Sequence, residues 1–291
     1  GKFDEARAVL TQAFARKLDT PGLHLMSYWT AAAQNDTSML ARDTSALQGT
    51  RSGQVYLARI LSNAALGSGQ LKSGREMFRV AAQKAQDAGF DVVGEQIRVD
   101  YINGECSYGL DADAQRDASD GIATLKDSLA RLRAALVVAR CGDARKARDI
   151  TDAVLKAYPT DTMLNDIAAP QVFAMMDLHA GRAQAAIDDL SKGVTYGRYD
   201  MGSHLARADA YLAANQADNA LQELQFPLSQ KYFETNVAYR EAQLLAARAY
   251  VAQGNKTRAR EMYQDVLAAW KNADPGLPLV EKVKAEYAKL Q

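Results

Sequence analysis

The sequence predicts an all-α protein: a right-handed superhelix of helical hairpins stacked in a row, ended by one C-terminal capping helix. Three observations predict it. A Gly or Asn recurs along the chain with a small or apolar residue five positions later. Apolar residues then follow at helical spacing, as in Ala259, Tyr263, Val266 and Trp270. Ahead of the turns bulky residues fill a first-helix slot, with Tyr211 and Tyr250 four positions before Asn215 and Gly254.

The turn signal reads GKFDEA at Gly1, NDTSML at Asn35, GQLKSG at Gly69, GLDADA at Gly109, GDARKA at Gly142, GRAQAA at Gly181, NQADNA at Asn215 and GNKTRA at Gly254. The intervals are 34, 34, 40, 33, 39, 34 and 39 residues. Four lie within one residue of 34, the tetratricopeptide period, and the others fit insertions. Gly or Asn takes positive φ at low cost and ends the first helix of each hairpin. The small residue five positions on lets the second helix cross closely. Pro159 cannot continue a helix and ends one. Each hairpin has an apolar face that it can bury only against its neighbours.

Taken in order, residues 2–16 read as the second helix of a truncated repeat, whose partner would precede Gly1. About seven hairpins then occupy 17–275, with first helices near 22–33, 52–67, 92–108, 126–140, 164–180, 199–214 and 235–253. Second helices fall near 37–47, 70–88, 111–124, 143–157, 182–192, 216–225 and 255–272. The stretches 191–202 and 225–236 carry the insertions and read as loops. Residues 276–291 form the cap, with Leu279, Val283, Tyr287 and Leu290 on one face and charges elsewhere.

Composition narrows the function. Lys and Arg number 35 and Asp and Glu 35, so the basic excess of a nucleic-acid binder is missing. No apolar run is long enough to span a bilayer. No catalytic residue, cofactor or metal site is expected. GQLKSGRE (69–76) approaches a phosphate-binding loop, but Arg75 and Glu76 replace the Lys and hydroxyl that reach phosphate and Mg²⁺. His24, His179 and His204 are far apart and read as packing residues. Cys106 and Cys141, offset by about half a helical turn, are expected as separate packed thiols. Asn35 and Asn255 match a glycosylation pattern but sit at turns that need them for the backbone.

FDEARAVLTQAFARKLDTPGLHL (3–25) and YVAQGNKTRAREMYQDVLAAWKNADPGLPLVEKVKAEYAKL (250–290) resemble the tetratricopeptide C-terminal region of bacterial eukaryotic-like serine/threonine protein kinases. Similar tails follow winged-helix regulators. The resemblance implies a kinase domain upstream and, through a membrane helix there, an inner-membrane tether. The chain has no HRD, DFG or APE motif, so no kinase activity is expected of this region.

Binding is the expected role, of a protein or peptide partner in the concave groove formed by the first helices. Arg59, Asn63, Asn103 and Arg133 occupy positions from which cations and amides could clamp a carboxylate. Asp100 and Leu129 stand where such a clamp would want an amide and a second Lys. In later repeats the same face turns apolar, with Leu132, Leu136, Met175, Leu178, Leu212 and Leu244. The basic run Arg131, Arg133, Arg140, Arg145, Lys146 and Arg148 reads as a solvated face. The alternatives are an effector-sensing repeat domain of a winged-helix regulator, or a scaffold self-associating through its first repeat.

Overall fold

The computed structural model describes residues 2–122, 124–230 and 235–290. Among these residues every regular element is helical. α1 (Phe3–Ala15) precedes seven hairpins. They are α2 (Pro21–Gln34) with α3 (Thr37–Gln48), α4 (Arg51–Gly67) with α5 (Leu71–Asp87), and α6 (Asp91–Ser107) with α7 (Asp111–Ile122). Next come α8 (Ser128–Arg140) with α9 (Ala144–Ala157), then α10 (Ala169–His179), entered through a π-helical turn (Met163–Ala168), with α11 (Ala183–Ser191). The last two are α12 (Met201–Ala213) with α13 (Ala217–Ser229) and α14 (Val237–Ala252) with α15 (Lys256–Ala269), followed by α16 (Pro278–Ala288). None of these helices is long and apolar enough to cross a membrane.

The turns work as the sequence predicts. Asn35, Gly69, Gly109, Gly142, Gly181, Asn215 and Gly254 all have positive φ. At Gly69 the left-handed residue lets its own N–H reach Leu66 O and the next N–H reach Ala65 O, satisfying carbonyls that the helix end leaves open. Five residues beyond the turns, Ala114, Ala147, Ala186, Ala220 and Ala259 are fully buried where the two helices cross. The hairpins then stack, with each first helix packed on the next from α2 to α14.

Some local departures have identifiable causes. Pro170 lacks an N–H and crowds the preceding turn, and the chain widens there into the π-helical turn. A side chain on Gly193 would overlap the Asp166 carbonyl of that turn, so the loop after α11 needs glycine to approach it. The expected loop at 225–236 starts later, because α13 runs through Pro227 to Ser229; residues 231–234 lie outside the described residues.

The two cysteines correct an expectation. Cys106 ends the core of α6, Cys141 caps α8, and they form a disulfide with Cα atoms 6.0 Å apart. Adjacent first helices run side by side, so the offset estimated along the chain vanishes in space. Closing 35 residues of chain in this way contributes about 4 kcal/mol by loop entropy.

The row does not stay open. α14 packs against α4 as well as against α12 and α13. One apolar core therefore joins Val55, Leu66, Ile97 and Tyr108 to Tyr263, Val266, Trp270 and Val283. Backbone and side-chain bonds stitch this seam. Trp270 Nε1 donates to Gly67 O at 3.1 Å, Asp274 N to Gly69 O at 2.9 Å, and Leu279 N to Tyr108 O at 3.1 Å. α16 covers α15 as a cap would, with Val280 and Val283 buried, and also reaches the third hairpin through Leu279.

Candidate functional site

Ring closure converts the concave face of the array into a chamber of about 690 Å³. Each first helix contributes one face to it. Leu25 and Trp29 come from α2; Tyr56, Arg59, Ile60 and Asn63 from α4; Val99, Asp100 and Asn103 from α6. α8 supplies Leu129, Leu132, Arg133, Leu136 and Arg140, while Met163, Ile167, Gln171 and Met175 follow along the π-helical turn and α10. Leu205, Ala206 and Asp209 of α12, with Val237 and Glu241 of α14, complete the wall. The spacing of three and four residues within each group is that of a single helical stripe.

All four residues picked out from the sequence, Arg59, Asn63, Asn103 and Arg133, lie on this wall, as do Asp100 and Leu129. Three of them already have partners. Arg59 Nη2 pairs with Asp100 Oδ2 at 2.7 Å, tying α4 to α6. Asn63 Nδ2 donates to Arg59 O at 3.0 Å. Asn103 Oδ1 accepts from Arg140 Nη1 at 3.3 Å.

Arg140 is the hub of the far end. Its guanidinium also donates to Ser107 Oγ at 3.2 Å and forms an ion pair with Glu241 of α14. Burial alone would lower its pKa, but the charges of Glu241 and Asp209 outweigh that and hold it above its ordinary value. Asp209 is raised from the usual carboxylate range, chiefly because burial disfavours its charge, against the opposing pull of Arg140. A smaller cavity of about 170 Å³ continues beyond this point, between Cys106, Tyr108, Arg140, Asp209, Arg240 and Trp270.

The basic run does not behave as one solvated face. Arg133 and Arg140 line the chamber, while Arg148 stacks over the Phe173 ring at 4.5 Å outside it. His24 bonds Asp43 and Asp19, and His204 bonds Glu223 and the Arg198 carbonyl, so both serve packing between helices. Cys106, Asp111 and Cys141 come within metal-ligand reach of one another. The disulfide removes the thiolates such an ion would need.

Asp209, Glu241, Arg140 and Trp29 are lumen residues that the reading of single motifs missed. A signal for some of them was present in the repeat register. The position six residues before each turn is Trp29, Asn63, Asn103, Leu136, Met175, Asp209 and Arg248. The first six line the main chamber and Arg248 lines the smaller cavity.

No protein-family model matches the chain, and no curated protein matches it. Among solved structures it is similar to a tetratricopeptide repeat protein from Parabacteroides merdae ATCC 43184, at 12% identity and a TM-score of 0.48. That likeness covers 92% of this chain and 98% of the other.

Proposed function

We propose that the protein is a non-catalytic binding module that holds a peptide or a segment of a partner protein inside the lumen. One observation carries this reading: a stripe from every first helix converges on a single chamber of about 690 Å³, within the range of ligand sites. Repeat arrays offer a curved inner surface for partners, and closure rings that surface with helices while leaving it open to solvent. The lining supports the same view, since apolar side chains dominate it and a few charged groups are set among them. Closure also favours the second reading, an effector sensor attached to a winged-helix regulator, because a lumen ringed by helices can surround a small ligand.

The parent in this proposal is a bacterial signalling protein resembling a serine/threonine kinase. The support is the sequence of 3–25 and 250–290. A glycine-rich loop with HRD and DFG motifs encoded upstream would favour the kinase, and a winged-helix segment the regulator. Self-association is the third reading, tested by the sedimentation of the isolated region.

Filling the lumen tests the function. Ala206 lies on the wall, and Ala206→Trp places a large ring in the chamber. The expected result is at least tenfold weaker binding of a partner recovered with the native chain, measured by calorimetry, with the melting curve little changed. Equal affinity in the filled variant would refute binding in the lumen.

A further inference from the structure

Cys106, Cys141 and Asp111 meet where three helices converge. Cys106 lies in the last turn of α6, Cys141 caps the end of α8, and Asp111 is the first residue of α7. Their ligand atoms, two Sγ and one carboxylate oxygen, all lie within 4.8 Å of one another. Cys106 Sγ is 4.0 Å from Asp111 Oδ1, and no ion pair occupies that carboxylate among the described residues. The sulfurs are buried and Asp111 is exposed, so the cluster opens to solvent through its carboxylate. Asp111 and Cys141 stand 5 and 35 residues beyond Cys106. That scatter reads as no ligand motif, which is why the sequence hides the cluster.

In the oxidised chain the disulfide occupies both sulfurs. Reduction changes what the cluster can do. A dithiol gives two electrons and two protons to the disulfide, leaving two thiols here and a disulfide on the reductant. Each thiol then stands at the end of a helix, Cys106 in α6 and Cys141 in α8, where open carbonyls carry partial negative charge. A bare thiolate is disfavoured there and a cation is favoured. The spacing suits one. Two sulfurs bound at about 2.3 Å to a tetrahedral ion lie about 3.8 Å apart, and a sulfur and an oxygen about 3.6 Å. The Cys106 and Asp111 atoms, at 4.0 Å, therefore reach bonding geometry with a shift of about 0.5 Å. Thiolates select Zn²⁺-like ions over Mg²⁺ or Ca²⁺, which prefer oxygen alone.

We infer that the reduced chain binds a thiophilic divalent cation of the Zn²⁺ class through Cys106, Cys141 and Asp111, with water as the fourth ligand. Binding releases the two thiol protons to solvent and forms two metal–sulfur bonds and one metal–oxygen bond. The ion then ties α6, α7 and α8 together at the point where the disulfide ties α6 to α8 alone. One clasp replaces the other as the redox state changes, and both close the same 35 residues of chain. The site does not depend on what the lumen holds.

Co²⁺ and Zn²⁺ are the probes, added to the intact chain after reduction with a water-soluble phosphine. Co²⁺ should produce the charge-transfer absorption of cobalt–thiolate bonds, saturating at one ion per chain. Zn²⁺ should displace it and raise the melting temperature of the reduced chain. Asp111→Asn should weaken Zn²⁺ binding by about tenfold or more. Cys141→Ser should abolish the cobalt absorption, and the oxidised chain should bind neither ion. Circular dichroism follows the helix content of each sample, so a loss of binding is separated from a loss of fold. The inference is overturned if the folded, reduced chain takes up no Co²⁺, if Asp111→Asn binds Zn²⁺ as tightly as the native chain, or if the oxidised chain binds equally well. It is also overturned if reduction abolishes the helical signal and Zn²⁺ fails to restore it.

Discussion

Single residues set how the far end of the lumen is held. Arg140 joins α6, through Asn103 and Ser107, to α14, through Glu241, so one guanidinium spans elements far apart in sequence. Lysine could not replace it, because a single ammonium lacks the planar fork that serves three acceptors at once. Arg140→Met leaves Glu241 without its cation and should destabilise the protein by about 2 kcal/mol. Urea unfolding measures this, and a loss below about 0.5 kcal/mol would show that the hub is not structural. Arg59 shows what sequence could and could not say at this scale. Its place on the lumen wall follows from the repeat register, but its pairing with Asp100 depends on how far α4 stands from α6.

At the scale of an element, α1 illustrates docking through a cap. Asp36 caps α3 by accepting from Met39 N, and Arg7 of α1 pairs with the same carboxylate at 2.9 Å. Gln34 extends the contact by accepting from Arg7 Nε at 2.9 Å and donating to Asp4 at 2.8 Å. The Met39 N–H first, then the Ser38 hydroxyl, with a smaller share from Arg7, holds the Asp36 pKa down at about 2. A carboxyl whose folded pKa lies below its unfolded value, about 3.9, stabilises the fold above that value. The contribution fades as pH falls through about 2. Hydrogen exchange should therefore show the first turn of α3, and with it the α1 contact through Arg7, losing protection between about pH 4 and pH 2. Asp36→Asn should show weakened protection already at neutral pH. Unchanged protection across that window would mean that α1 docks without help from the Arg7–Asp36 pair.

For the whole molecule the deciding feature is the seam. The last hairpin and α16 lie on the second and third hairpins, and Tyr108 and Trp270 meet there with ring centres 5.5 Å apart. Gly67 has no room for a side chain, since a Cβ would overlap the Thr235 carbonyl. Deleting 278–291 removes the strap from Leu279 to Tyr108 and uncovers Tyr263, so the ring should loosen. Small-angle X-ray scattering should record a larger radius of gyration for this deletion, and for Gly67→Val, than for the native chain. A native radius in both would show that closure does not depend on this seam.

The recurring turns, the buried small residues after them and the stripe facing the lumen were determined by the sequence alone, because each depends on backbone preference and helical period within one hairpin. The seam and the Cys106–Cys141 disulfide were decided only by the tertiary structure. Small rotations from one hairpin to the next accumulate over seven units, and no local pattern records their sum. That sum decides whether the ends of the array meet, and so whether the inner surface is an open groove or a lumen ringed by helices.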